Sequence, residues 1–87
     1  MIAVFIPSQL HAYTGGESRL RAEGATVAEV LADLDRQYPG LRFRVIDEQD
    51  QVRRHMRIYV GQTPATSVST PIGEGKELLI FGALSGG

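Results

Sequence analysis

Lys76-Glu-Leu-Leu-Ile-Phe-Gly-Ala-Leu-Ser-Gly-Gly87 begins as a strand and ends as a bare tail. Leu78, Leu79, Ile80 and Phe81 form an apolar run of the kind a sheet interior accepts. Gly82 weakens the strand, and Ala83, Leu84 and Ser85 lead to Gly86 and Gly87. The expected organisation is one folded domain over residues 1–82 and a flexible tail over 83–87. A terminal diglycine has no side chain, permissive backbone angles and a free carboxylate at its tip. Such a tail can thread a narrow slot in another protein and present that carboxylate as a reactant. Chain ends commonly fray. What sets this one apart is its attachment, because one short spacer ties the glycines to an apolar strand.

The rest of the chain supplies the body. Its 87 residues allow one small domain. A hydrophobic fraction of 43% and a charged fraction of 22% are ordinary for a globular protein. The formal net charge of -1 gives no overall electrostatic footprint for nucleic acid or an anionic membrane. No apolar run approaches the roughly 20 residues that span a bilayer. The N-terminus lacks a basic signal-peptide region, so a cytoplasmic location is expected. Cysteine is absent, which excludes disulfides, thiolate metal sites and cysteine nucleophiles.

Ile2, Val4 and Ile6 alternate with Ala3 and Phe5 until Pro7, which reads as a strand. Ser8 to Glu17 is polar and turn-prone, so a hairpin loop is expected. Ser18 to Glu23 reads as a second strand, with Leu20 and Ala22 inward and charges suited to an edge. Thr26-Val-Ala-Glu29 opens a helix with a capping box. Val27, Val30, Leu31, Leu34 and Tyr38 recur at helical spacing, and Pro39-Gly40 ends the helix. Leu41 to Ile46 is ambiguous between a short strand and a helical turn. Asp47 to Gln51 reads as a solvated loop without calcium-ligand spacing. Met56 to Val60 is a further strand, Gly61 to Pro64 a turn, and Ala65 to Ile72 irregular with room for one short strand. The expected core is Ile2, Val4, Ile6, Leu20, Val27, Val30, Leu31, Leu34, Ile58, Val60, Leu78 and Ile80.

The order is strand, strand, helix, strand, short element, strand. The expected fold is α+β of the β-grasp, ubiquitin-like kind. A mixed sheet of four to five strands is covered on one face by one main helix, with the first and last strands parallel in the middle. Strand parity then places Ala3, Phe5, Leu79, Phe81, Arg57 and Tyr59 on the face away from the helix. Phe5, Tyr59, Leu79 and Phe81 should form an exposed patch at the root of the tail, and such a patch usually marks an interaction site.

The chain resembles the ubiquitin-like sulfur carriers, the family of the molybdopterin synthase small subunit and the thiamine-pathway carrier. The most specific part is Pro71-Ile-Gly-Glu-Gly-Lys-Glu-Leu-Leu-Ile-Phe-Gly-Ala-Leu-Ser-Gly-Gly87. Ile6-Pro7, Leu10 and Thr14-Gly15-Gly16 look most like the carrier of thiocarboxylate-dependent cysteine synthesis. Gly82-Ala83 departs from the prolines that molybdopterin-type carriers often have there. The resemblance implies that a ubiquitin-activating-type enzyme uses ATP to make an acyl-adenylate at Gly87. Sulfur from a persulfide donor then leaves a thiocarboxylate there. It also implies a sulfur-accepting partner, either a cysteine synthase or the large subunit of molybdopterin synthase. Phe5, Tyr59, Leu79, Phe81, Ala83, Leu84 and Ser85 would contact partners, and Gly86 would accompany Gly87 into the active site. No bound cofactor, metal, nucleic acid or membrane is implied, and the chain would be a protein co-substrate rather than an enzyme.

A terminal carboxyl with a pKa of about 3.3–3.7 is an anion at neutral pH and a poor electrophile, hence the need for activation. Residues 83–87 extend at most about 17 Å at 3.3–3.6 Å each, which suits a buried partner site. Two other readings stay open: a ubiquitin-like modifier joined through Gly87 to lysines, and an interaction module with an inert tail. His11 and His55 lack a carboxylate cluster for a metal. Ser8, Ser18, Ser67 and Ser69 lack the context of a hydrolase nucleophile. Arg53, Arg54 and Arg57 read first as a solvated strand edge, with partner steering or RNA contact as the alternatives.

Overall fold

The computed structural model describes residues 1–82. Its strands are β1 (Ile2–Phe5), β2 (Arg19–Ala22), β3 (Met56–Val60), β4 (Thr63–Pro64) and β5 (Leu78–Gly82). Helix α1 spans Val27–Gln37 and helix α2 spans Leu41–Val45, and a 3₁₀ helix covers Ser8–Tyr13. The strands form one five-stranded sheet in the order β2-β1-β5-β3-β4. β1 and β5 run parallel, with Val4 opposite Leu78 and Phe5 opposite Leu79. β1–β2 and β3–β5 are antiparallel. This is the expected β-grasp arrangement, with the first and last strands paired in the middle.

α1 forms where its apolar spacing and its cap agree. Thr26 Oγ1 accepts a hydrogen bond from the Glu29 amide at 3.2 Å. Glu29 Oε1 accepts from the Ala25 amide at 2.8 Å, one residue earlier than the standard reciprocal partner. The next amides find partners in the irregular segment: Val27 N donates to Thr70 O at 3.0 Å and Ala28 N to Val68 O at 2.8 Å. The expected short strand in Ala65 to Ile72 is therefore not there. That segment instead satisfies the orphan donors of the helix start, with a single bridge between Thr26 and Pro71. Gly24 is required just before the cap, because a Cβ there would lie 2.7 Å from the Val30 backbone nitrogen.

Val27, Val30, Leu31 and Leu34 are fully buried against Val4, Ile6, Leu20, Ile58, Leu78 and Ile80 in one core. Of the expected core only Ile2 differs. It sits half-buried at the start of β1 and packs on the core from outside. The core is also larger than expected, and takes in Leu10, Ala22, Leu41, Val45, Ile46, Met56, Ala65 and Ile72.

One local expectation needs correction and one open reading is resolved. The segment after Pro7 is a 3₁₀ helix rather than a plain hairpin loop, because Leu10 is buried and its amide donates to Pro7 O at 3.0 Å. Leu41 to Val45 resolves as a helix, so α1 is not alone. Gly40 turns the chain at φ 96°, and Asp35 Oδ1 accepts from the amides of Gly40 and Arg42 at 3.0 and 3.3 Å. That carboxylate stitches the end of α1 to the start of α2.

Leu31→Ala removes a fully buried side chain between helix and sheet and is expected to cost about 2–5 kcal/mol. This is a large share of a total near 5–15 kcal/mol. An unchanged denaturation midpoint would contradict the packing. A second outcome concerns acid. Asp33 accepts from Arg36 and from the Glu23 amide, and these bonds hold its carboxyl below the ordinary 3.8. A lowered folded-state pKa stabilises the fold above the ordinary value, and that contribution is lost as pH falls through the folded value. Asp33→Asn is therefore expected to lower the unfolding temperature at pH 7. The gap from wild type should close as pH falls below about 3.8, and a gap that widens in acid would contradict the assignment.

Candidate functional site: the open sheet face and the tail root

Burial of Val4, Leu78 and Ile80 toward α1 forces their neighbours to the other side of the sheet. Phe5, Tyr59 and Leu79 are half-buried there, and Phe81 is 39% exposed. The ring centroids of Phe5 and Phe81 lie 5.6 Å apart, and those of Tyr59 and Phe81 lie 5.9 Å apart edge-on. Leu79 faces Phe5 across one ladder and Tyr59 across the other. The four described residues of the expected patch thus meet on one surface. Ala83, Leu84, Ser85, Gly86 and Gly87 lie outside the described residues.

The rim of this face is basic. Arg19 and Arg21 flank it on β2, opposite Phe5 and Ala3, and Arg57 flanks it on β3, opposite Phe81. Arg19 reaches Glu77 at 4.0 Å. Arg57 Nη1 donates to Arg54 O at 2.8 Å and to Met56 O at 2.9 Å, which pins its guanidinium beside the tail root.

Gly82 closes β5 opposite Met56. It is the last residue of the strand, still paired in the ladder although glycine was expected to weaken it. A Cβ on Gly82 would overlap the Gln9 carboxamide, which lies across this position from the 3₁₀ helix. The sequence gives no hint of Gln9, because the contact depends on the 3₁₀ helix bringing it to the far end of β5. Next to it a groove of about 600 Å³ is lined by Gln9, Phe43, Arg44, Arg53, His55 and Met56.

The remaining candidates have local roles. His11 Nε2 is 3.1 Å from Ile6 O, and Ser67 and Ser69 bond each other at 2.8 Å. Asp47 Oδ1 accepts from the Gln49 and Gln51 amides at 2.9 and 3.0 Å, which closes the polar loop and lowers its pKa. Among the described residues no cluster of His, Asp and Glu is placed to hold a metal, and no helix is long and apolar enough to cross a membrane.

The chain can be compared with known proteins on this geometry. The model of the ThiS family matches residues 4–87. Sulfur carrier protein CysO of Mycobacterium tuberculosis is 31% identical over 91 residues, covering 99% of this chain and 98% of that protein. A chain of the Amycolatopsis orientalis BexX/CysO complex has a TM-score of 0.90 at 30% identity, covering 100% of both chains. SAMP1 of Haloferax volcanii has a TM-score of 0.74 at 25% identity, covering 99% of this chain and 98% of that one. A family match over nearly the whole length, on a fold and an open face of this kind, settles the kinship: the chain belongs to the ThiS family.

Proposed function

We propose that this chain is a sulfur carrier whose C-terminal Gly87 is activated and thiolated. The observation that carries the reading is the family match, which runs through Gly86 and Gly87. The similarity to CysO supports the carrier role, since that relative is described as a sulfur carrier protein. The resemblance of Ile6-Pro7, Leu10 and Thr14-Gly15-Gly16 to the carrier of thiocarboxylate-dependent cysteine synthesis favours a cysteine-synthase-type acceptor over the large subunit of molybdopterin synthase.

The chemistry follows from the terminal carboxylate. Its oxygen attacks the α-phosphorus of ATP on a ubiquitin-activating-type enzyme, and pyrophosphate leaves. The acyl-adenylate has a good leaving group that the free carboxylate lacks. The terminal sulfur of a persulfide donor attacks the acyl carbon and AMP departs, leaving an acyl disulfide; a thiol then attacks the donor's sulfur, breaks the S–S bond and is left in a disulfide with the donor. Gly87 then carries a thiocarboxylate. The chain supplies no acid, base or bound cofactor to these steps. Its contribution is to hold the carboxyl where the enzyme can reach it, which is a positioning effect. It is a co-substrate, and it works in the cytoplasm, where ATP is supplied.

Positioning needs docking, and the patch of Phe5, Tyr59, Leu79 and Phe81 is the surface for it. The Amycolatopsis chain of the same shape was solved in a complex, which supports a docking role for this fold. Ala83, Leu84 and Ser85 would span from the patch to the partner's active site. A second reading, conjugation of Gly87 to lysines, draws on the likeness to the Haloferax volcanii small archaeal modifier protein 1. It stands second because the CysO matches are closer in both identity and TM-score.

Removal of Gly86 and Gly87 is expected to abolish ATP-dependent adenylation by the cognate activating enzyme and leave thermal unfolding unchanged. Intact mass of the sulfide-treated product reports it, as the exchange of one oxygen for sulfur. A truncated protein that is still thiolated would sink the proposal. Phe81→Ala is expected to weaken binding to the activating enzyme by about 2 kcal/mol or more. The fold should persist, because Phe81 is partly exposed. Wild-type affinity in the folded variant would place docking elsewhere.

A further inference from the structure

The run Arg53-Arg54-His55-Met56-Arg57 has no part in the chemistry above. The fold puts it where the tail begins. Gly82 pairs with Met56 in an antiparallel ladder, so Arg53, Arg54 and His55 lie beyond Gly82 in the direction β5 is heading. They form a turn closed by a bond from Met56 N to Arg53 O of 2.9 Å. On one side of the turn lies the groove that holds Gln9, Arg44 and His55. On the other a second groove carries Arg54 and Arg57 toward Tyr59, and so joins the apolar patch.

The charges of this region are poorly compensated. Arg19, Arg36 and Arg42 pair with Glu77, Asp33 and Asp50. Arg44, Arg54 and Arg57 form no ion pair among the described residues. Arg53 feels Asp47 only at longer range. Several of these guanidiniums are nevertheless held in place. Arg53 Nε donates to Phe43 O at 2.7 Å and stacks 4.6 Å over the Phe43 ring, and Arg44 lies 5.4 Å over the Tyr13 ring. Carbonyls and rings orient a cation without neutralising it. With a chain net charge of -1, unpaired cations gathered here leave the rest of the chain net negative.

Three anions compete for such a collar. The chain's own terminal carboxylate would meet these cations as exposed ion pairs, which return little. RNA would want a basic footprint over the chain as a whole, and the formal net charge of -1 gives none. A carboxylate-bearing protein surface needs no such footprint, and the collar is continuous with the docking patch through Arg57, opposite Phe81. We propose that the basic collar of Arg44, Arg53, Arg54, His55 and Arg57 docks an acidic rim around the tail channel of the enzyme that activates Gly87. This rests on the sulfur-carrier reading. The collar steers the tail to the channel before the apolar patch closes, and its work is in association rather than in holding.

The test uses the full chain and the ubiquitin-activating-type adenylating enzyme of the same organism. Association is followed by stopped flow for wild type, Arg54→Gln, the double variant Arg44→Gln/Arg54→Gln, and Arg36→Gln as a control on α1. At low salt the double variant is expected to associate about three- to tenfold more slowly, with Arg54→Gln between it and wild type. The difference should vanish near 1 M salt, where the screening length falls to about 3 Å. Arg36→Gln should match wild type, and unfolding temperatures should confirm that all variants are folded. Arg54→Gln alters an exposed side chain and keeps the test valid if the double variant fails to fold. Wild-type association at low salt, a deficit that persists at high salt, or tighter binding to a single-stranded RNA than to the enzyme would overturn the proposal. So would faster activation of the variant, which would mean that the tail had been held back by the collar. Adenylation of wild type separates the two levels. A wild type that the enzyme does not adenylate removes the carrier reading and the collar with it. A wild type that is adenylated, with charge variants indistinguishable from it, removes the collar alone.

Discussion

The parallel pairing of β1 with β5 is the contact on which the rest depends. It joins the first strand to the last, with Val4 opposite Leu78. It is also costly to make, since nearly the whole chain must be closed into a loop before the pairing is rewarded. The reward is burial. Val4, Ile6, Leu78 and Ile80 turn to one face and meet Val27, Leu31 and Leu34 of α1. Once those residues face the helix, period-two geometry leaves no choice for Phe5, Leu79 and Phe81. One register therefore fixes both the core and the open apolar face. A slip by one residue would exchange them, exposing the core and burying the patch.

What was legible in the sequence is what repeats. α1 could be read because four apolar positions recur at helical spacing and Thr26 and Glu29 supply a cap. β1, β3 and β5 could be read from alternation or apolar runs, and the patch followed from their parity. What was not legible depends on single residues in irregular segments. Leu10, Ala65 and Ile72 are each buried from such segments, where no period announces them. Leu41 to Val45 is too short for periodicity to separate helix from strand. Its helical state rests on Gly40 and on Asp35, whose carboxylate serves two amides beyond its own helix. The basic turn could be seen as charge but not as position. Nothing in Arg53-Arg54-His55 says that it abuts Gly82; the β3–β5 register says so.

The two faces of the sheet carry different duties. The helix face is closed and apolar, and its perturbed carboxylates sit at its margins, where Asp33 ties α1 to the end of β2 through the Glu23 amide. The open face is an aromatic cluster with arginines at its edges. Aromatic rings supply contact area at low entropic cost, and charges at a rim act on approach more than on residence. A surface built this way suits a partner that must be engaged, used and released, rather than one held permanently.

A carrier of this kind must keep its own side chains out of the reaction. Several side chains that could interfere are occupied or absent. Cysteine is missing, so no thiol can capture an activated acyl group. Ser67 and Ser69 bond each other, His11 rests on the Ile6 carbonyl, and Asp47 is spent on the amides of its own loop. Each is held by a local bond that the fold already needs. Glycine at 82 continues the same logic at the root of the tail. A Cβ there would meet the Gln9 carboxamide, which would have to swing aside. On the function proposed above, the body sets where the carboxyl is delivered, and the bond-making falls to the partner enzyme.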